Sequence, residues 1–452
     1  MQTAANVAQS KMGAIPTVIH PEYKTRPDGS TMKALAWFGT RDVRLIDAPI
    51  PDISEPDDVI LKVTGTTICG SDLHLFNGEV VALQKGDILG HEFMGIVDRI
   101  GPEVRNLKIG QRVVASFQIA CGECEYCEKK KKKKISSFCD RTNHSTLQNA
   151  MYGHRDAGFF GYSHFTGGFP GGQAEYVRVP KGNVNLLPIP DEVPDEKALY
   201  LSDVLCTAYH CVMDTGVNEG DVVGVWTTFV PKHDFRGWVP SACAWRSSPN
   251  SRVPSASFAS TASPERLEKA EELGFETIDF SKHSDVVKRF QEIAPGGLDV
   301  ALDCGTFHQA KTFIHKVDKA LMLETDVSEI ANEMIVSTKK GGRCGVIAAY
   351  VGYTNHFNIG ALMEKGIRFI GNGQAPVHKW LNEILYDLII PGKFDPTFMV
   401  SHRVPIDDFP KLYHAFDRRV GGVEKVFVET KFSSPPSPGC PRTSRVDEWA
   451  VV

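Results

Sequence analysis

Four cysteines in one short stretch, Cys121-Gly-Glu-Cys124-Glu-Tyr-Cys127 and then Cys139, restrict this chain more than any other feature. Cysteines at every third position of a loop can turn their thiolates around one ion, and zinc takes four such donors in a tetrahedron. With cysteine at all four corners the site is closed to water and substrate, so its role is structural. The alternative is four unrelated surface thiols. Eleven cysteines could suggest disulfides. Four of them in one cluster favour metal in a reducing compartment, so a cytoplasmic protein is expected. Between Cys127 and Cys139 stand six consecutive lysines, Lys129 to Lys134. They repel one another and read as a solvated bulge.

A chain of 452 residues can bury two substantial cores. A net charge of -5 gives no general attraction to nucleic acid or to an anionic membrane. No apolar run is long enough to span a bilayer. Residues 1–31 lack the apolar core of a secretory signal and read as a disordered extension, with "TMKALAW" opening the folded part. The Pro/Ser-rich tail, 435–452, has no core of its own and is expected to drape over the surface.

A second metal constellation is more dispersed. "TTICGSDLH" holds Cys69, Ser71, Asp72 and His74, and "LGHEFMG" holds His91 and Glu92. The β-branched "DVILKVTGTTIC" reads as a strand delivering Cys69 to a loop, and "GIVDRIG" as another strand. One cysteine and one histidine leave a catalytic zinc one protein ligand short, its fourth position open to water or substrate.

"CGSDLH", "GDILGHEFMGIV", the four-cysteine lobe, "GGQAEYVRVP" and "LSDVLCTAYH" together resemble the zinc-dependent medium-chain alcohol dehydrogenases, most of all their formaldehyde-dehydrogenase-like branch. The resemblance covers about residues 33–226 and 264–434. It implies an α/β fold: a GroES-like, β-rich catalytic domain (32–205), a Rossmann doubly wound parallel sheet for the cofactor (206–375), and a return to the catalytic domain (376–434). It also implies two zinc ions per chain, NAD as cofactor, a small alcohol or aldehyde as substrate, and a homodimer or homotetramer.

Carried over by the resemblance, Cys69, His91 and Asp203 bind the catalytic zinc, with Glu92 as an alternate ligand. Asp72 orients His91, as metal-bound imidazoles usually require. Ser71 and His74 relay the substrate's proton to solvent, and Thr207 contacts the nicotinamide. His164 could line the pocket or be a plain loop histidine. In the family seven residues separate the last two lobe cysteines, and here eleven residues separate them. The excess lies in the lysine run. Lengthening a surface loop costs little entropy, so Cys139 is still expected to close the site.

One segment breaks the pattern. After the strand-like Val222–Trp226, a Rossmann domain needs a glycine-rich turn for the pyrophosphate and a second strand ending in an acid for the ribose. Residues 227–263 contain one glycine, four prolines, eight serines and no Ile or Leu. No period of 2 or 3.6 runs through them. Thr261 stands where the acid is expected, and from Pro264 the pattern resumes. The expectation is a nucleotide-binding core disrupted at 227–263, as a translated intron or compensated frameshift would leave it. The alternative function is then a zinc-binding but catalytically impaired dehydrogenase-like protein.

Overall fold

The computed structural model describes residues 2–128, 135–226, 256–261, 267–268, 270–271, 275–283, 285–305, 310, 312–320, 324–350 and 352–449. The chain divides into two compact units, Met1–Cys206 with Pro376–Val452, and Thr207–Ala375. No helix among the described residues is long and apolar enough to cross a membrane.

The first unit is built on a seven-stranded sheet. Its strands run in the order Val400–Pro405, Lys425–Glu429, Val59–Thr66, Phe93–Ile100, Arg112–Ala115 and Leu186–Pro188, with Tyr176–Val179 also pairing Val59–Thr66. Alternation along Val59–Thr66 sends Val59, Leu61 and Val63 into one core with Phe93, Val97 and Val113. Ile60 enters a second core with Met32, Ala34 and Ala174 on the other face. Both faces are covered, and this explains why the strand reads as a nearly continuous apolar run.

The leader departs from expectation. Instead of a disordered extension, Gln2–Met12 is a helix (α1), and Asn6 Nδ2 donates to the Leu83 carbonyl at 3.2 Å. Val18 N donates to Arg141 O at 3.0 Å, Thr25 bridges to Pro51, and Ile19 is fully buried in the main core. Its few apolar residues follow no period, so the sequence held no sign of this docking. The tail lies along the same unit. Ser437 Oγ donates to Glu196 Oε2 at 2.8 Å, Ser444 N donates to Arg403 O at 2.9 Å, and Trp449 is buried.

The second unit holds a six-stranded sheet paired in parallel throughout. Its strands are Val222–Trp226, Ala256–Thr261, Glu276–Asp279, Leu298–Asp303, Thr338–Val346 and Arg368–Gly371. Across the sheet they lie in the order third, second, first, fourth, fifth, sixth, the doubly wound dinucleotide-binding arrangement. Trp226 packs its ring 4.6 Å from that of Phe290 in the core.

The expected loss of the second strand is therefore corrected. Ala256–Thr261 fills that place, with Trp226 opposite Ser260 on one side and Thr261 opposite Asp279 on the other. A short strand bracketed by two partners is set by its neighbours' backbone pairing, so its own sequence need not carry a β-pattern. Thr261 is its last residue. The expected absence of a glycine turn falls on 227–255, which lie outside the described residues, as do Lys129 to Lys134.

Candidate active site

Each candidate side chain stands at the end of a regular element. Strand Val59–Thr66 leads to Cys69, which caps the short helix Gly70–Phe76 (α2). The Cys69 amide donates to Asp72 Oδ2 at 2.8 Å, so the turn that presents the thiol also fixes the carboxylate. His91 and Glu92 immediately precede strand Phe93–Ile100, and Asp203 immediately precedes helix Val204–Thr215. Gly90, just before His91, has φ +98°, and a Cβ there would lie 2.7 Å from the Gln173 amide nitrogen. Only glycine allows that close crossing.

Cys69, His91, Glu92 and Asp203 converge, each offering one donor atom within 4.8 Å of the others. His91 Nε2 lies 3.4 Å from Asp203 Oδ2, 3.9 Å from Glu92 Oε1 and 3.4 Å from Ser71 Oγ. Its other nitrogen, Nδ1, faces Asp72 Oδ1 at 3.2 Å. Two donors at zinc's usual bond lengths of about 2.0–2.3 Å are separated across a tetrahedron edge by about 3.3–3.8 Å. The His91–Asp203 spacing falls in that range, and the thiol, imidazole and carboxylate set suits zinc.

The electrostatics favour a cation here. Burial disfavours charge on His91, but the Asp72 carboxylate and the close Asp203 and Cys69 side chains prevail and raise its pKa well above the usual imidazole value. Burial pushes Cys69 and Glu92 up, with Lys425 opposing both shifts. Lys425 is fully buried, its Nζ 2.6 Å from Glu92 Oε1. That ion pair occupies one Glu92 oxygen, while the other, Oε2, is buried and has no hydrogen-bond partner.

Three contributors escaped the sequence reading. Lys425 opens the apolar run "KVFVE", and a lysine inside such a run was the available signal. Gln173, in "GGQAEY", donates from Nε2 to Asp72 Oδ2 at 3.3 Å and to the Thr67 carbonyl at 3.0 Å, and accepts from Tyr413 Oη at 2.8 Å. Glu79 receives His74: Nδ1 lies 2.9 Å from Glu79 Oε2. His74 is buried while the Glu79 side chain is about half exposed (49%). Burial holds the His74 pKa below the usual imidazole value, although Glu79 works against it. His164, in the 3-10 turn His164–Thr166, pairs with Asp87 at 3.1 Å. Thr207 lies in helix Val204–Thr215, in the second unit.

The four-cysteine lobe is a separate cluster. Cys121, Cys124, Cys127 and Cys139 are free thiols whose sulfurs lie within 4.8 Å of one another. The sulfurs lie 3.9 Å apart in Cys121–Cys127, 3.4 Å in Cys124–Cys127 and 3.9 Å in Cys124–Cys139. A zinc tetrahedron with bonds of about 2.3 Å has sulfur–sulfur edges of about 3.8 Å, so the lobe fits that ion. Ile135 N donates to Tyr126 O at 3.1 Å. This bond joins the described residues on either side of the lysine run, close to Cys127 and Cys139.

Residues 55–191 match the alcohol dehydrogenase GroES-like domain. A zinc-type alcohol dehydrogenase-like protein of Schizosaccharomyces pombe is 39% identical over 409 residues, covering 90% of this chain and 93% of the relative. A glutathione-independent formaldehyde dehydrogenase of Pseudomonas aeruginosa is 30% identical over 420 residues, covering 88% and 96%. Among solved structures, the alcohol dehydrogenase of Thermus sp. ATN1 superimposes with a TM-score of 0.71 at 27% identity, covering 88% of this chain and 100% of the other. The order of motifs, the converging Cys-His-Glu-Asp cluster and these likenesses agree: the chain belongs to the zinc-type alcohol dehydrogenase-like family of oxidoreductases.

Proposed function

We propose that this protein oxidises a small alcohol or an aldehyde hydrate, with NAD as hydride acceptor, at a zinc held by Cys69, His91 and Asp203. The observation that carries the reading is the convergence of those three side chains, with Glu92, on one buried point beside the Ser71 hydroxyl. A second zinc in the Cys121, Cys124, Cys127 and Cys139 lobe holds that loop in shape. The name of the P. aeruginosa relative supports formaldehyde-sized substrates. The parallel sheet with its second strand in place supports a dinucleotide cofactor, with Thr207 touching the nicotinamide. A cytoplasmic homodimer or homotetramer is part of the same proposal.

Zinc, when bound, supplies a Lewis acid that lowers the pKa of a hydroxyl beside it. The nicotinamide brings the redox chemistry, and the protein positions it. The chain's own residues handle the proton. Ser71 Oγ takes it from the substrate hydroxyl. His74 lies one turn along α2, and burial keeps its imidazole neutral and able to accept. Glu79 carries the path from buried His74 to solvent. Asp72 holds His91 through Nδ1 and leaves Nε2 aimed at the cluster.

The test is elemental analysis of purified protein followed by NADH formation from formaldehyde and from ethanol. Both zinc ions and turnover are expected. A protein that holds zinc but neither binds NADH nor oxidises either compound would sink the reading.

A further inference from the structure

Around the candidate metal cluster, four rings close on one another. His91 lies 6.0 Å from Phe117 and 6.0 Å from Tyr162, Phe117 lies 5.1 Å from Phe159, and Phe159 lies 6.1 Å from Tyr162, centroid to centroid. Phe117 and Phe159 are buried and bring no polar atom. The His91 nitrogens face Asp72 and Asp203. Among the described residues, the hydroxyl of half-buried Tyr162 makes no hydrogen bond, and it is not sealed from solvent.

Tyr162 is held in place. Gly90 N donates to Gly161 O at 3.2 Å, tying the residue before His91 to the residue before Tyr162. On its other side Ser163 caps the next turn, its hydroxyl accepting from Phe165 N at 3.2 Å. The ring is pinned at its edges by His91 and Phe159. A rigid phenol with an open donor beside a metal cluster, in an otherwise aromatic wall, is the geometry of a specificity contact.

We infer that Tyr162 is a binding subsite for the second hydroxyl of a geminal diol, and that this enzyme selects hydrated aldehydes over simple alcohols. The inference rests on the oxidoreductase reading for the class of substrate. Both substrates place one oxygen at the cluster. The diol carries a second hydroxyl on the same carbon, which against Phe117 and Phe159 alone would lose its water without replacement. The Tyr162 hydroxyl supplies the missing partner, and a phenol can donate or accept. A monohydric alcohol presents hydrogen at that position and gains no hydrogen bond from Tyr162, whose hydroxyl stays open to water.

The experiment is a fluorine NMR titration of the zinc-loaded, cofactor-free protein with trifluoroacetaldehyde hydrate and with trifluoroethanol. The wild type is expected to bind the hydrate about tenfold more tightly, the scale of one neutral hydrogen bond. Tyr162→Phe should bring the two within about twofold while retaining both zinc ions. Equal affinities in the wild type, or a preference that survives Tyr162→Phe, overturn the subsite. Loss of zinc from Tyr162→Phe makes the residue a packing element and overturns it as well. With NAD added, formaldehyde kcat/KM should fall about tenfold in the variant with ethanol kcat/KM unchanged. A wild type that prefers the hydrate but oxidises neither compound defeats the dehydrogenase reading and leaves the subsite standing.

Discussion

Cys121, Cys124, Cys127 and Cys139 come from one loop and carry four identical donors. Cys69, His91, Glu92 and Asp203 come from three separated segments and carry three kinds of donor. The loop cluster has no ionisable partner beyond its own thiols in reach of its sulfurs, among the described contacts, and it closes on itself. The dispersed cluster is surrounded by Asp72, Lys425 and Ser71, each of which leans on one of its members. A site that must only hold an ion can be local and saturated. A site that must also admit a substrate needs an open side and groups that tune it, and those come from distant parts of the fold.

Removing one proposed ligand from each cluster separates these roles most sharply. His91→Ala should lower kcat/KM at least about a thousandfold, the scale of a lost Lewis acid. It should halve the zinc content and barely move the melting temperature. Cys124→Ser should also halve the zinc, but its main effect is on the fold. A structural zinc contributes several kcal/mol of folding free energy, so a fall in Tm of roughly ten degrees or more is expected by calorimetry. Activity should persist well below the new Tm. If the two variants behave alike, the division of labour is wrong.

Supporting groups should matter at one site alone. Lys425→Met leaves the Glu92 carboxylate buried without its cation, a change that costs about 3–5 kcal/mol in comparable buried pairs. Denaturant unfolding of the zinc-free protein should show this loss, and zinc should restore part of it. Asp72→Asn removes the charge facing His91 Nδ1 and should weaken zinc retention or activity about 10- to 100-fold, read by competition with a chelator. Zinc in the cysteine lobe should be untouched in both variants.

The smallest effect concerns pH. In the proposed relay His74 must be neutral to take a proton, and burial sets its pKa below the ordinary imidazole value while Glu79 raises it. Activity should therefore be full at neutral pH and fall as pH drops through the His74 pKa. Glu79→Gln removes the opposing influence, so the acid limb of kcat should move to still lower pH. A decrease of severalfold in kcat at neutral pH is expected, on the scale of part of a general acid–base contribution. A limb that moves upward would exclude Glu79 from the path.

Much of this was legible in the chain alone. The cysteine spacing, "CGSDLH" and "GHE" announce metal because ligands in a loop are close in sequence as well as in space. The strands at Val59–Thr66 and Phe93–Ile100 announce themselves by apolar, β-branched runs, since a strand covered on both faces must be apolar along its length. Other features were decided by the tertiary structure. The leader carries no periodic apolar face, yet Ile19 is buried, because the catalytic unit offers it a core to join. Ala256–Thr261 has no strand signal, yet neighbours on both sides supply its hydrogen bonds. Lys425, Gln173, Glu79 and Tyr162 are ordinary residues in sequence. They acquire a role only where folding sets them against His91, Asp72, Glu92 and His74, because charge and hydrogen-bond geometry act over a few ångströms of space, whatever the distance along the chain.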